Sequence, residues 1–266
     1  MKKYLVLVST LLLLAACGGS PAVDDSSSSQ ESSTSVSSSS SQTKESSKQS
    51  ETTKQSTSSS TTTASQEPAG DNELQQAYPN EQMPSASAVG NAQTISMAAS
   101  ETNNTLTVSY YNTENKLPLN DPQLQNQTPI AQFQRTTYAS SAEARNAVAP
   151  TFDEGGQAID LGYNITGYQQ SGAGSSYLSW QEGNWNLTVQ AININGEDPL
   201  PLAQKVVEYL ETAFLPVPKD AGQITLSVTG GGYESNVVAW QVDTTVYKTM
   251  HTDALSSLQM AVSMKD

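Results

Sequence analysis

Cysteine occurs once in this chain, at Cys17, and histidine once, at His251. A lone cysteine excludes an intrachain disulfide and a thiolate metal cage, so the fold must hold by packing even in an oxidising exterior. A lone histidine excludes a multi-histidine metal site and leaves any serine-histidine-acid triad dependent on one residue. Basic residues are scarce as well: 12 Lys and Arg stand against 26 Asp and Glu. Lys2, Lys3, Lys44, Lys48, Lys54 and six of the acids precede residue 69, which leaves 7 basic and 20 acidic residues in 69–266, a net of −13. Such a surface repels nucleic acid and anionic lipid headgroups and tolerates cationic partners. The apolar run at residues 4–14 is short, with eleven positions against the roughly 20 that a membrane-spanning helix needs.

That short run takes its meaning from the residues on either side of it. Lys2 and Lys3, the run itself and then Leu14-Ala15-Ala16-Cys17 make a basic region, an apolar region and a small-residue cleavage site, the layout of a secretory signal. A cysteine just after the cut can carry a thioether-linked diacylglycerol. The pattern resembles the bacterial lipobox, so residues 1–16 read as a signal peptide and 17–19 as a lipidated anchor. Two acyl chains suffice for stable anchoring, where one is marginal. The expected address is the extracellular face of the cell membrane.

Residues 20–67 are mostly serine and threonine, with Val23 and Val36 nearly the whole apolar content. Such a stretch cannot offset its ordering entropy by burial and is expected to be disordered. Ideal-coil statistics place its ends about 40 Å apart. It reads as a spacer. Pro68, Pro79, Pro84 and many small residues extend this transition, so 20–103 is assigned to linker and 104–266 to one globular domain.

Periodicity predicts strands at 105–110, 130–138, 158–168, 176–181, 185–192, 223–229, 236–241 and 246–250. Ser140 and Glu143 stand at capping-box spacing and open a short helix that Pro150 closes. Asp198 and Pro199 start a second helix, whose apolar residues Ala203, Val206, Val207, Leu210 and Phe214 predict a buried stripe to residue 214. A third helix begins after Thr252. The expected order is ββ-αβββ-αβββ-α, an α+β fold with an antiparallel sheet and helices on one face. The two αβββ units read as an internal duplication, because Gly156-Gln157 and Trp180-Gln181 recur as Gly222-Gln223 and Trp240-Gln241.

The chain resembles surface lipoproteins of the Gram-positive, lactic-acid-bacteria type. The resemblance rests on the lipobox, the Ser/Thr-rich stalk, the phrase from Pro129-Ile130-Ala131 to Tyr138-Ala139-Ser140-Ser141-Ala142-Glu143-Ala144, the Trp-Gln phrases and the closing helix at 255–264. It implies no catalytic residue.

Chemistry-bearing residues are sparse. His251, at a strand end, reads as a solvated residue. Gly172-Ala173-Gly174 and Gly230-Gly231-Gly232 lack the lysine and adjoining helix of a phosphate loop and read as turns. Asp153-Glu154, Glu182 and Glu197-Asp198 supply carboxylates, but glycoside cleavage needs a pair about 5 to 10 Å apart, and these fall at a loop, a hairpin turn and a helix cap. Trp180 and Trp185 flank a turn as a cross-strand pair, and Trp180 with its counterpart Trp240 reads as core. Tyr168, Tyr177, Tyr233 and Trp185 form a candidate ligand rim. No catalytic residue, cofactor or metal is assigned. The expectation is a non-catalytic binding or interaction module at the cell surface, anchored in the membrane and meeting an unidentified surface or cell-wall partner, with no nucleic acid. The alternatives are a cell-wall carbohydrate binder, a carboxylate-dependent wall hydrolase and a secretion chaperone.

Lipidation is testable at its one nucleophile. Cys17→Ser is expected to move the protein from the membrane fraction to the medium, whereas unchanged membrane retention on fractionation would refute the anchor.

Overall fold

The computed structural model describes residues 69–90 and 94–264. The expected signal peptide, the expected lipidation site at Cys17 and the Ser/Thr-rich tract lie outside the described residues. Two short helices, α1 (Ala69–Ala77) and α2 (Ala86–Val89), precede three strands, β1 (Thr94–Thr102), β2 (Thr105–Thr113) and β3 (Ala131–Thr137). Helix α3 (Ser141–Val148) leads to β4 (Gln157–Gly162), β5 (Ile165–Gly172), β6 (Ser175–Glu182) and β7 (Trp185–Ile192). Helix α4 (Leu200–Leu210) then connects to β8 (Gly222–Ser227), β9 (Asn236–Val242) and β10 (Thr245–His251), with α5 (Ala254–Val262) after them. All ten strands form one mixed sheet in the order β1-β2-β3-β10-β9-β8-β7-β6-β5-β4.

Every neighbouring pair is antiparallel except β7 with β8. Antiparallel neighbours can be joined by tight turns, whereas parallel neighbours need a crossover, and α4 is that crossover. Side chains alternate across the sheet, which sorts the sequence into two faces. One carries Met97, Val108, Phe133, Trp240, Ile224, Leu187 and Trp180, all buried beneath α4, α5 and the N-terminal helices. The other carries Gln132, Gln134, Thr225, Thr188, Ser179 and Gln170. Helix α3 packs on this second face, setting Ala144 and Val148 in a small apolar cluster with Ala239 and Val246. Helices therefore lie on both faces, with most of the apolar cover on one.

Three local differences from the sequence reading have physical causes. Residues 158–168 are two strands, because Gly162, Tyr163 and Asn164 take φ of 90°, 53° and 62° and fold the chain back on itself. The unit of β4 to β7 consequently has four strands against three in β8 to β10, so the order ββ-αβββ-αβββ-α is not the observed one. The duplicated hairpins do correspond: Trp180 pairs with Leu187 and Trp240 with Tyr247, each two residues from a two-residue turn opened by a positive φ at Gly183 or Asp243. Helix α4 stops at Leu210, short of Phe214. The chain leaves α4 in a tight turn, with Thr212 N and Ala213 N both donating to Tyr209 O; Pro216 and Pro218 keep the helix from resuming at 215–217, and Phe214 stands 68% exposed on the loop.

The third difference lies upstream of residue 104. Strand β1 pairs with β2 along its whole length and buries Ile95 and Met97. Leu74 of α1 and Val89 of α2 are buried in the same core. Arg135 of β3 grips Glu81 through Nη2 and Nε at 2.7 and 3.1 Å, and reaches Glu101 at 3.2 Å. The sheet thus begins ten residues before the boundary expected from composition. A chain starting at Asn104 is expected to unfold at markedly lower urea than one starting at Ala69, since each emptied Ile, Leu or Met site costs about 2 to 5 kcal/mol. Equal midpoints would place β1 outside the cooperative unit.

Candidate functional site

At the end of the sheet formed by the β6–β7 and β9–β10 turns, four aromatic side chains run across the apolar face. Trp185 and Trp240 approach to 6.3 Å between ring centroids, Trp240 stacks on Tyr247 at 5.4 Å, and Tyr247 on Phe133 at 6.5 Å. The two indoles belong to strands separated by β8. They meet because Gly222 of β8 is paired with both, and a Cβ there would fall 2.4 Å from the Trp185 ring. Only glycine leaves room for that approach.

Helix α4 ends before it covers this row, and the loop at 211–219 crosses it instead. The loop borders two grooves at the end of the sheet, the first mostly apolar and the second of mixed lining. One, of about 400 Å³, has Trp185 and Leu187 at its base and Leu210 at its side. The other, of about 720 Å³, lies over Trp240, Tyr247 and Met264. Phe214, Leu215, Pro216 and Val217 border both, and Phe214 and Val217 remain 68% and 81% exposed. Glu182 brings a carboxylate to the first groove, where Trp180 Nε1 donates to it at 2.7 Å. Burial pushes the Glu182 carboxyl above its usual range, the indole hydrogen bond opposes this, and the charge of Glu211 adds to it. Lys219, beside the second groove, pairs with Asp243 at 2.9 Å.

The four residues of the expected rim do not converge. Trp185 is buried on the apolar face at the base of the first groove, while Tyr168 and Tyr177 stand on the polar face. Tyr168 meets Phe152 edge-on at 6.0 Å, and Tyr177 is 41% exposed. Tyr233 lies in a short helical turn, close enough to Gln132 of β3 to be hydrogen-bonded to it. Five strand spacings of about 4.8 Å separate β3 from β6, roughly 24 Å. Trp180 is fully buried, and Trp240 nearly so.

The carboxylates are also dispersed. Glu197 accepts hydrogen bonds from Ile192 N, Asn195 Nδ2 and Thr229 Oγ1, which hold its carboxyl below the usual range. Asp198 accepts from Leu200 N at the start of α4. Both lie at the far end of β7 from Glu182, about 24 Å away along the strand, well beyond the spacing of a glycosidase pair. Among the described residues no group of three or more His, Cys, Asp or Glu could hold a metal. No helix among them is long and apolar enough to cross a membrane. The sequence reading missed the grooves because it placed Phe214 in the core. The closely spaced prolines in Leu215-Pro216-Val217-Pro218 were the available signal. No family model, curated protein or solved structure matches the chain.

His251 is buried, not solvated. Its Nδ1 accepts from Asp253 N at 2.7 Å, which fixes the neutral tautomer, and Nε2–H then donates to Val89 O at 3.1 Å. It thereby ties α2 to the start of α5. Burial lowers its pKa below 6.5, against the smaller opposing effects of Val89 O and the Asp253 charge and backbone. The unfolded chain takes up the proton more readily than the folded one, so this contribution to stability is complete above pH 6.5 and is lost as pH falls below it. Chemical denaturation across pH 7 to about 5 should show stability declining with acid, and His251→Asn should flatten that slope. Identical slopes would refute the assignment.

Proposed function

We propose that this chain is a membrane-anchored extracellular lipoprotein whose folded domain is a non-catalytic interaction module. The observation that carries the reading is the apolar groove over Trp185 and its mixed neighbour over Trp240 and Tyr247, both bordered by exposed Phe214 and Val217. Aromatic anchors in a partly open apolar groove are the usual centre of a protein-binding surface. The occupant it fits is an extended apolar segment of a partner protein with basic flanks. Glu182 lines the first groove, Glu211 is near enough for its charge to act on Glu182, and Lys219 is already paired with Asp243, so the charge left for a partner is negative. The domain as a whole is acidic, which favours encounter with a cationic segment.

The reading as a secretion chaperone draws on the same surface and differs in one respect: a chaperone would bind unrelated unfolded clients and suppress their aggregation. A wall hydrolase would use Glu182, whose carboxyl burial pushes above its usual range, as acid with Glu211 as the second carboxylate, and differs from an interaction module in turning over a wall glycan.

Tryptophan fluorescence, with Trp185 and Trp240 both at the grooves, offers a direct titration. A synthetic Leu/Val-rich peptide flanked by lysines should bind, and the same core flanked by glutamates should bind far more weakly. Phe214→Ser with Val217→Ser should cut affinity about ten-fold with no loss of thermal stability, because both side chains are exposed. Equal binding of both peptides, or an unaffected double variant, would overturn the reading.

A further inference from the structure

The sheet's second face carries a separate surface. Along β6 and β7, three successive cross-strand pairs lie on the face opposite the main core: Tyr177 with Gln190, Ser179 with Thr188, and Gln181 with Asn186. Each pair is joined side chain to side chain. Gln190 Nε2 donates to the Tyr177 hydroxyl at 3.3 Å, the hydroxyls of Ser179 and Thr188 share a bond at 3.0 Å, and Gln181 Nε2 donates to Asn186 Oδ1 at 2.7 Å. At about 3.4 Å per residue this lane runs roughly 14 Å. The chain leaving α3 forms a wall beside it. Thr151 N donates to Gln223 Oε1 at 2.8 Å, Phe152 packs on Tyr168, and Asp153 accepts from Gly155 N at 2.8 Å and from Gln170. Between wall and lane lies a cleft of about 220 Å³.

We propose that this cleft and lane bind a neutral glycan chain, with one sugar ring seated against Tyr177 and its neighbours laid along the paired hydroxyls and amides. A volume below the roughly 300 to 1,000 Å³ of pockets for larger ligands suits a single ring. Tyr177, 41% exposed and lining the cleft, brings aromatic surface against which the C–H face of a sugar can stack. The amides and hydroxyls of the lane each keep donor or acceptor capacity beyond their mutual bond. Because that bond already fixes their rotamers, little side-chain entropy is lost on binding. Asp153 presents a carboxylate to accept sugar hydroxyls, and with Glu154 and Asp160 nearby in the chain it disfavours phosphate- or carboxylate-bearing polymers. Strands β6 and β7 are interior, with partners on both sides, so a peptide cannot add here as a further strand.

This site lies on the opposite face from the two grooves and rests on none of the reasoning for them. The test uses the full chain carrying Cys17→Ser and calorimetric titration with three tetrasaccharides: N-acetylglucosamine, glucose and the anionic galacturonate. At least one neutral oligomer should bind and the galacturonate should not. Tyr177→Ala and Gln170→Ala should each weaken binding about ten-fold, Tyr177→Phe should keep most of it, and thermal unfolding should not move, since Tyr177 is exposed outside the core. Phe214→Ser with Val217→Ser should bind sugar as the parent does, which separates this site from the peptide groove. Absence of binding up to about 10 mM, an unchanged affinity in both truncated variants, or preference for the anionic oligomer would overturn the proposal.

Discussion

Gly222 marks the junction on which the sheet depends. It opens β8, the strand that joins the four-stranded meander of β4 to β7 to the three-stranded one of β8 to β10 through the sheet's parallel pairing. At this position β8 is flanked by Trp185 on one side and Trp240 on the other. With no side chain between them the indoles meet across the strand, and the row continues through Tyr247 to Phe133. One aromatic seam thus crosses from β7 to β3 and binds strands from all three meanders. A methyl group at residue 222 would strike the Trp185 ring at 2.4 Å and force the two indoles apart. The seam also supplies the base of both grooves, so the constraint that joins the sheet is the one that shapes its candidate protein-binding surface.

Much of this was legible where a local signal and the tertiary environment agree. Ser140 and Glu143 announce α3, and Ser140 does accept from Glu143 N. Alternation announces β2, β6 and β7, and the Trp-Gln pairs announce two hairpins whose registers match. The misreadings share a cause, which is that small or polar residues can hold structure together without a hydrophobic signature. Strand β1 reads Thr-Ile-Ser-Met-Ala-Ala-Ser-Glu-Thr, and only Ile95 and Met97 mark its buried face. Gly162-Tyr163-Asn164 resembles the continuation of a strand until positive φ turns it into a hairpin. His251, polar and terminal in sequence, is buried because both ring nitrogens find backbone partners. The candidate sites were less legible, because they depend on which face of which strand meets which. Tyr177 and Trp185 are eight residues apart in neighbouring strands, yet one faces outward among amides and the other lies beneath the α4 loop.

That division of faces gives the two candidate surfaces different physics. On the apolar side, recognition rests on removing aromatic and proline surface from water, with the acidic groups selecting among partners. On the polar side, water already satisfies the amides and hydroxyls, so binding must come from preorganisation and ring stacking, and affinity per site is modest. A weak single site becomes effective when many equivalent sugars are presented along one polymer or when the protein is held close to it.

Tethering bears directly on this. Under the proposed anchoring at Cys17, the first described element is α1, which packs beside β1 at one edge of the sheet. The glycan lane on β6 and β7 lies six to seven strand spacings away, roughly 30 Å, toward the opposite edge. The aromatic grooves also lie beyond β3 from that edge. The −13 charge of residues 69–266 acts on both faces alike: it repels anionic headgroups and favours cationic partners, so under the proposed anchoring, electrostatics would oppose contact of the domain with an anionic bilayer.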